Sequence, residues 1–170
     1  IVRVASVAGV NFKLCVTESS VVQLANDDCA NASPVTVSAY GQCTPTAGTL
    51  LGATPSSIAN TSCSNQSVIF SDVFYSFTAN AAKQILQLSH QATSSIYGVA
   101  LYSTCSSAEL GCWWVGQGQL PMNSEIMLTS LTPGSTYLLR VYSQAGVAGP
   151  FTLCVSNLPP PVQVQCGGQV

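Results

Sequence analysis

Eight cysteines are the residues of this chain most able to do chemistry, and their spacing points to covalent staples. None stands in a CxxC pair and the chain has one histidine, His90, so the thiols lack the clustered partners that a zinc site needs. Cysteines used this way belong to an oxidising, extracellular compartment. Cys105 and Cys112 are close enough to close a small loop, and Cys43 and Cys63 bracket a Gly/Pro/Ser-rich excursion. Two schemes stay open for the rest. Cys29 with Cys154 would tie the first strand of a module to its last and leave Cys15 and Cys166 to neighbouring units. Cys15 with Cys29 and Cys154 with Cys166 would instead staple the junctions.

Catalysis has little to work with. His90, within Ser89-His90-Gln91, reads as a partly exposed polar residue at a strand end. Nucleophilic catalysis needs a base beside its nucleophile, and glycoside hydrolysis needs two paired carboxylates. Six scattered acids supply neither, so no enzyme and no catalytic residue is expected. Asp27 and Asp28 offer the hard oxygens that calcium takes, but a turn or capping role is the stronger reading, and no cofactor is assigned. Asn31, Asn60 and Asn65 each begin an Asn-X-Ser/Thr sequon, which matters only in a glycosylating host.

The elements that must carry these residues are strands. Val35–Tyr40, Val73–Phe77, Ile85–Leu88 and Tyr137–Tyr142 are short runs rich in β-branched and aromatic residues, separated by Gly, Pro, Asn and Ser. In Asp72–Phe77 the alternation sets Val73, Tyr75 and Phe77 on one face and Phe74 on the other. No segment shows a sustained helical period, so the fold class is all-β, an antiparallel sandwich of jelly-roll-like or Ig-like form, stapled by disulfides.

The chain also repeats itself. Val2-Arg3-Val4-Ala5-Ser6, then Phe12-Lys13-Leu14-Cys15-Val16-Thr17, returns as Leu139-Arg140-Val141-Tyr142-Ser143, then Phe151-Thr152-Leu153-Cys154-Val155-Ser156. The offset is 137 residues at the arginine and 139 at the cysteine, and Cys166 follows Cys29 by 137. A period of that length indicates an array of domains. Residues 1–17 read as the closing strands of a preceding repeat or as inter-subunit strands, 18–156 as a complete module, and 157–170 as a Pro-rich linker with the start of a following unit.

Three further motifs fall in order: Ala25-Asn26-Asp27-Asp28-Cys29-Ala30-Asn31-Ala32, Asp72-Val73-Phe74-Tyr75-Ser76-Phe77-Thr78-Ala79, and Leu131-Thr132-Pro133-Gly134-Ser135-Thr136-Tyr137 continuing through Ser143. Their sequence over residues 25–156 resembles the β-sandwich repeats of large Bacteroidota surface proteins, related to the pre-peptidase C-terminal domain and superficially to fibronectin type III. The resemblance implies tandem modules of adhesins, surface filaments or accessory regions of secreted enzymes, without catalytic residues. Pro133-Gly134 should make a tight turn, and Tyr137 should act as a tyrosine corner, its hydroxyl returning to nearby backbone. Trp113-Trp114 departs from the polar residues expected there. Neighbouring strand residues face opposite ways, so one indole packs inside while the other is open to an interface or a stacked sugar.

Composition decides between classes of partner. Charged residues make up 6% of the chain against 47% hydrophobic, and the formal net charge is −2. There is no basic footprint for nucleic acid and no apolar run long enough for a spanning helix. Between Ala30 and Leu153 the only charged residues are Asp72, Lys83, Glu109, Glu125 and Arg140. A free sandwich ordinarily guards its edges with charge. The expected function is therefore a structural or adhesive module at the cell surface, packing against neighbouring copies in tandem or as a homopolymer. The alternative is a ligand- or carbohydrate-binding accessory domain of a secreted hydrolase, contacting surface glycans.

Overall fold

A computed structural model of the chain describes residues 23–64, 71–90, 97–115, 122–143 and 149–161. The repeat strands expected at 1–17, together with Cys15, Cys166 and the Asn65 sequon, lie outside the described residues.

Among the described residues, a 3-10 turn at Cys29–Asn31 precedes ten strands: β1 (Ser33–Pro34), β2 (Val37–Ser38), β3 (Thr46–Thr49), β4 (Ser71–Thr78), β5 (Gln84–His90), β6 (Tyr97–Tyr102), β7 (Glu109–Val115), β8 (Met122–Leu128), β9 (Thr136–Ser143) and β10 (Pro150–Asn157). They form two facing sheets. Sheet A runs β1-β4-β9-β6-β7, and sheet B runs β2-β10-β5-β8 with β3 also paired to β10. Most pairs are antiparallel as expected, but β1 on β4 and β2 on β10 are parallel, so both sheets are mixed.

Val35–Tyr40 does not form the continuous strand its composition suggests. Ser33–Pro34 pair with sheet A, the Val35 amide donates to the Ser76 carbonyl at 2.7 Å, and two residues later Val37–Ser38 pair with sheet B. The chain spends its β-forming residues on crossing from one sheet to the other. Strands that switch sheets in this way close the corner of a sandwich.

The core lies between the sheets. Val73, Tyr75 and Phe77 of β4 meet Leu139 and Val141 of β9, and sheet B contributes Leu86, Leu88, Phe151, Leu153 and Val155. Phe74 faces the other way, as alternation requires. The Pro133-Gly134 turn forms, with Gly134 at φ 84° and the Ser135 amide bonded to the Thr132 carbonyl. The Thr132 amide in turn donates to the Tyr137 hydroxyl at 2.8 Å, which makes Tyr137 a tyrosine corner.

The two sheets are buried unequally. β5 alternates strictly between buried and half-buried residues, so this strand of sheet B is covered on one face only, whereas Cys154 and Ser156 on the outer side of β10 are buried. β4 and β9 are buried on both faces nearly throughout. The second cover is the excursion between β3 and β4, whose residues 54–64 lie across the outer face of sheet A. Its anchor is an ion pair. Arg140 Nε donates to Asp72 Oδ2 at 2.5 Å, with both side chains at or below 1% exposure. The guanidinium also donates to the Ala59 carbonyl at 2.8 Å and to Ser56 Oγ at 3.2 Å. Asp72 accepts from the Ser56 amide and hydroxyl, and Asp27 accepts from the Thr54 amide and hydroxyl in the same two-pronged way. A buried charge is tolerable when its hydrogen-bonding capacity is filled like this.

Removing one partner strands the other in a dry site. Arg140→Ala and Asp72→Ala should each cost about 3–5 kcal/mol, read as a lower urea midpoint. The double variant should cost less than the two losses added together. Additive losses would mean that the pair is not coupled.

Candidate binding face

All six cysteines among the described residues pair, and none pairs as spacing suggested. The bonds are Cys29–Cys105, Cys43–Cys154 and Cys63–Cys112. Cys105 does not close a loop with Cys112, because Cys112 points to the outer face of sheet A and takes Cys63 from the covering excursion. Cys43 does not meet Cys63, because the chain between them crosses from sheet B to sheet A. Both schemes for the remaining four fail as well, since Cys29 is bonded to Cys105 and Cys154 to Cys43. Proximity in sequence is a poor guide in a sandwich, where most contacts join distant segments.

The outer face of sheet A is a packed layer. Tyr142, Gly98 and Trp114 stand in register across β9, β6 and β7. The Tyr142 ring lies over Gly98, where a Cβ would run into it, and meets Trp114 edge-on at 6.1 Å between centroids. Arg140 reaches over the same ring at 5.9 Å. The Tyr142 hydroxyl accepts from Thr61 Oγ1 at 2.7 Å and sits 3.3 Å from Cys112 Sγ. Glu109 takes the Ser62 amide and hydroxyl, fixing the end of the excursion. Burial pushes the Tyr142 and Tyr102 phenols above the ordinary tyrosine range. The Thr61 hydrogen bond on Tyr142, and Arg140 on Tyr102, oppose that shift without cancelling it. Burial raises Tyr75 likewise, against a hydrogen bond with Asn26.

The adjacent tryptophans do face opposite ways. Trp113 packs against the main core and Trp114 against the Tyr142 layer, and both are half-buried. His90 is not partly exposed. It ends β5 on the core side, 3% exposed, because even positions of that strand point inward. Asp27 is buried and occupied by Thr54, while Asp28 is exposed and precedes the 3-10 turn without a side-chain cap. No group of three or more His, Cys, Asp or Glu that could hold a metal comes together among the described residues. Asn31 and Asn60 are exposed.

Sheet B leaves its outer face open, and there the structure builds a groove that the sequence did not reveal. The Cys43–Cys154 bond pins residues 39–45 above β10, helped by the Thr44 amide donating to Ser38 Oγ at 3.2 Å. A turn from Ala39 to Gln42, with Gly41 at φ 73°, holds Tyr40 out with 53% of its surface exposed. Beside this arm, Gln87 of β5 and Glu125 of β8 stand in register, and Gln87 Nε2 donates to Glu125 Oε1 at 2.6 Å. Two adjoining concavities of about 330 and 460 Å3 share Cys43, Gln87 and Glu125. Ser89, Ser124 and Thr152 line the first, while Tyr40, Ile85 and Pro159 line the second. The groove thus joins an aromatic surface to an amide–carboxylate pair and several hydroxyls, a set suited to neutral, hydroxylated ligands.

Fold and staples define the described residues as a disulfide-bonded β-sandwich. Over residues 25–155 the chain matches the T9SS-associated family described as galactose binding domain-like, and it belongs to that family. This association fits an extracellular or cell-surface protein. Among the described residues no helix is long and apolar enough to cross a membrane. Among solved structures it is similar to the pre-peptidase C-terminal domain of a collagenase from Bacillus anthracis. Identity is 15%, covering 73% of this chain and 93% of that one, with a TM-score of 0.43. No protein of curated function matches the chain.

Two measurements test the packed layer. Gly98→Ala should destabilise the fold by about 1–3 kcal/mol by forcing the Tyr142 ring aside, whereas Gly41→Ala, with open space around it, costs only the strain of its positive φ. The raised phenols set a pH dependence. The folded state holds their protons more tightly than the unfolded chain does, so this contribution is whole below the ordinary tyrosine pKa. It is lost as pH climbs through and beyond that value. Denaturation midpoints measured upward from pH 8 should fall on that alkaline side, and a midpoint unchanged there would contradict the burial of these rings.

Proposed function

We propose that the chain is a non-catalytic structural and adhesive module of an extracellular surface protein, acting through contact with neighbouring units. One observation carries the reading. Of the five charged residues between Ala30 and Leu153, Asp72 and Arg140 are consumed in a buried pair and Glu109 is tied to the covering excursion. Only Lys83 and Glu125 remain exposed. A surface so poor in charge does little to prevent association, and it suits a module whose faces meet other modules. Residues 1–17 fit the same reading as closing strands of a preceding unit, and 157–170 as the Leu158-Pro159-Pro160-Pro161 linker with the start of a following one.

A second reading rests on the groove. Tyr40 offers an open ring for a sugar face, and Gln87 and Glu125 offer donors and acceptors to its hydroxyls, as a carbohydrate-binding accessory domain requires. Trp113 and Trp114, the aromatics the sequence singled out, are each half-buried in a packed layer and serve this role less well than Tyr40.

Negative-stain microscopy of the native protein should show ordered arrays or filaments, and monodisperse single particles at working concentration would sink the first reading. For the second, a glycan array should give binding that falls about tenfold or more on Tyr40→Ala and on Glu125→Gln, corresponding to ~1.4 kcal/mol each. Both variants should keep the parent unfolding midpoint. Binding unaffected by either change would remove the groove from consideration.

A further inference from the structure

Each sheet of the sandwich has two edges, and a bare edge invites another strand to pair with it. Among the described residues three of the four edges are blunted. Along β4, where β1 covers only two residues, the Asp72 and Phe74 amides donate to the Thr54 and Asn26 carbonyls, and Asn26 Nδ2 donates to the Phe74 carbonyl. β7 is interrupted by a bulge, with Leu110 the extra residue between the pairs Leu101–Gly111 and Tyr102–Glu109. β10 is closed by two short pieces, β2 of two residues and β3 of four.

β8 has none of these devices. Its seven residues pair with β5 in unbroken register, without bulge or proline. Its one charge does not guard the margin, because Gln87 Nε2 engages Glu125 from β5, on the side away from the edge. Met127 of β8 is 52% exposed, and Leu110 of the neighbouring margin strand β7 is 54% exposed. Both lie toward the ends of those strands remote from the segment that joins them. An uncharged edge flanked by exposed apolar side chains is what an added strand needs.

We infer that β8 is a docking edge for the β8 strand of a second copy of this chain, paired antiparallel about a two-fold axis at Ile126, so that sheet B runs continuously through both copies. Register selects this arrangement. Side chains alternate between core and solvent, so a pairing must keep each residue on its own face. Centred on Glu125, it would set two carboxylates directly opposite each other, which is destabilising. Centred on Ser124, it would leave Met127 beyond the paired segment. Centred on Ile126, it sets Met127 against Glu125 of the second copy and Leu128 against Ser124, with no like charges opposed. Each copy offers the same strand to the other, as a two-fold contact requires. The inference rests on the reading that the module acts by contact with other units, but a two-fold contact closes at two copies. Dimers without arrays would therefore sink the array reading alone, and arrays indifferent to changes in β8 would sink this one alone.

Sedimentation equilibrium of the 1–170 chain should show a concentration-dependent equilibrium between monomer and dimer. Met127→Glu opposes Glu125 of the second copy at two symmetric positions and should raise the dissociation constant about tenfold. Met127→Lys puts opposite charges there and should match or tighten the parent. Leu51→Glu, at an exposed residue away from this margin, should leave association unchanged. All three alter exposed side chains and should keep the parent unfolding midpoint. A chain that stays monomeric at its highest soluble concentration, or a dimer that Met127→Glu leaves intact, would overturn the inference. Met127→Lys weakening the dimer as much as Met127→Glu would refute the register centred on Ile126.

Discussion

The fold depends on one buried ion pair. Arg140 and Asp72 sit on the outer face of sheet A, where an uncovered sheet would present side chains to water. The covering excursion turns that face into a second interior, and the pair supplies the reason it lies where it does. Residues of the excursion itself, Ser56, Ile58 and Ala59, fill the hydrogen-bonding capacity that the two charges leave over. Charge, cover and hydroxyl ligands are therefore mutually required. Two charges cannot be taken out of water without the cover, and the cover has little apolar surface of its own to hold it down. The Cys63–Cys112 bond and the Tyr142 layer secure the far end of the same segment.

Much of the sandwich was legible in the residues. Val73–Phe77, Ile85–Leu88 and Tyr137–Tyr142 became β4, β5 and β9 because branched and aromatic side chains at alternate positions suit a pleated, half-buried surface. The tyrosine corner and the turn at Gly134 were legible for a related reason, since their chemistry is local. Val35–Tyr40 misled because its composition says only that the backbone is extended, not which sheet receives it. The cysteine pairs could not be read because every bond joins segments brought together by the stacking of sheets, with separations of 49, 76 and 111 residues. Gln87 and Glu125 stayed hidden likewise. They are 38 residues apart and unremarkable singly, and only the register of β5 against β8 makes them a pair.

Sheet A and sheet B thus divide the work. Sheet A spends its charged and aromatic residues inward on cohesion, and its two faces are both interior. Sheet B keeps an ordinary amphipathic alternation, leaving one face to solvent, and the Cys43–Cys154 bond lifts a short arm with Tyr40 over the margin of that face.

The crossing of the disulfides has a mechanical side. Pull on the main chain at the two ends of the module and the load enters near Cys29 and leaves near Cys154. Tension need not travel through the intervening strands, because Cys43 is bonded directly to Cys154. The shortest covalent route runs from Cys29 along the chain to Cys43 and then across the bond. Fully stretched, that stretch of chain spans about 50 Å, whereas the unbonded polypeptide between the same two cysteines could pay out to roughly 400 Å. Only β1 and β2 lie on that route, so β3 to β9 are sheltered from a force applied at the two cysteines.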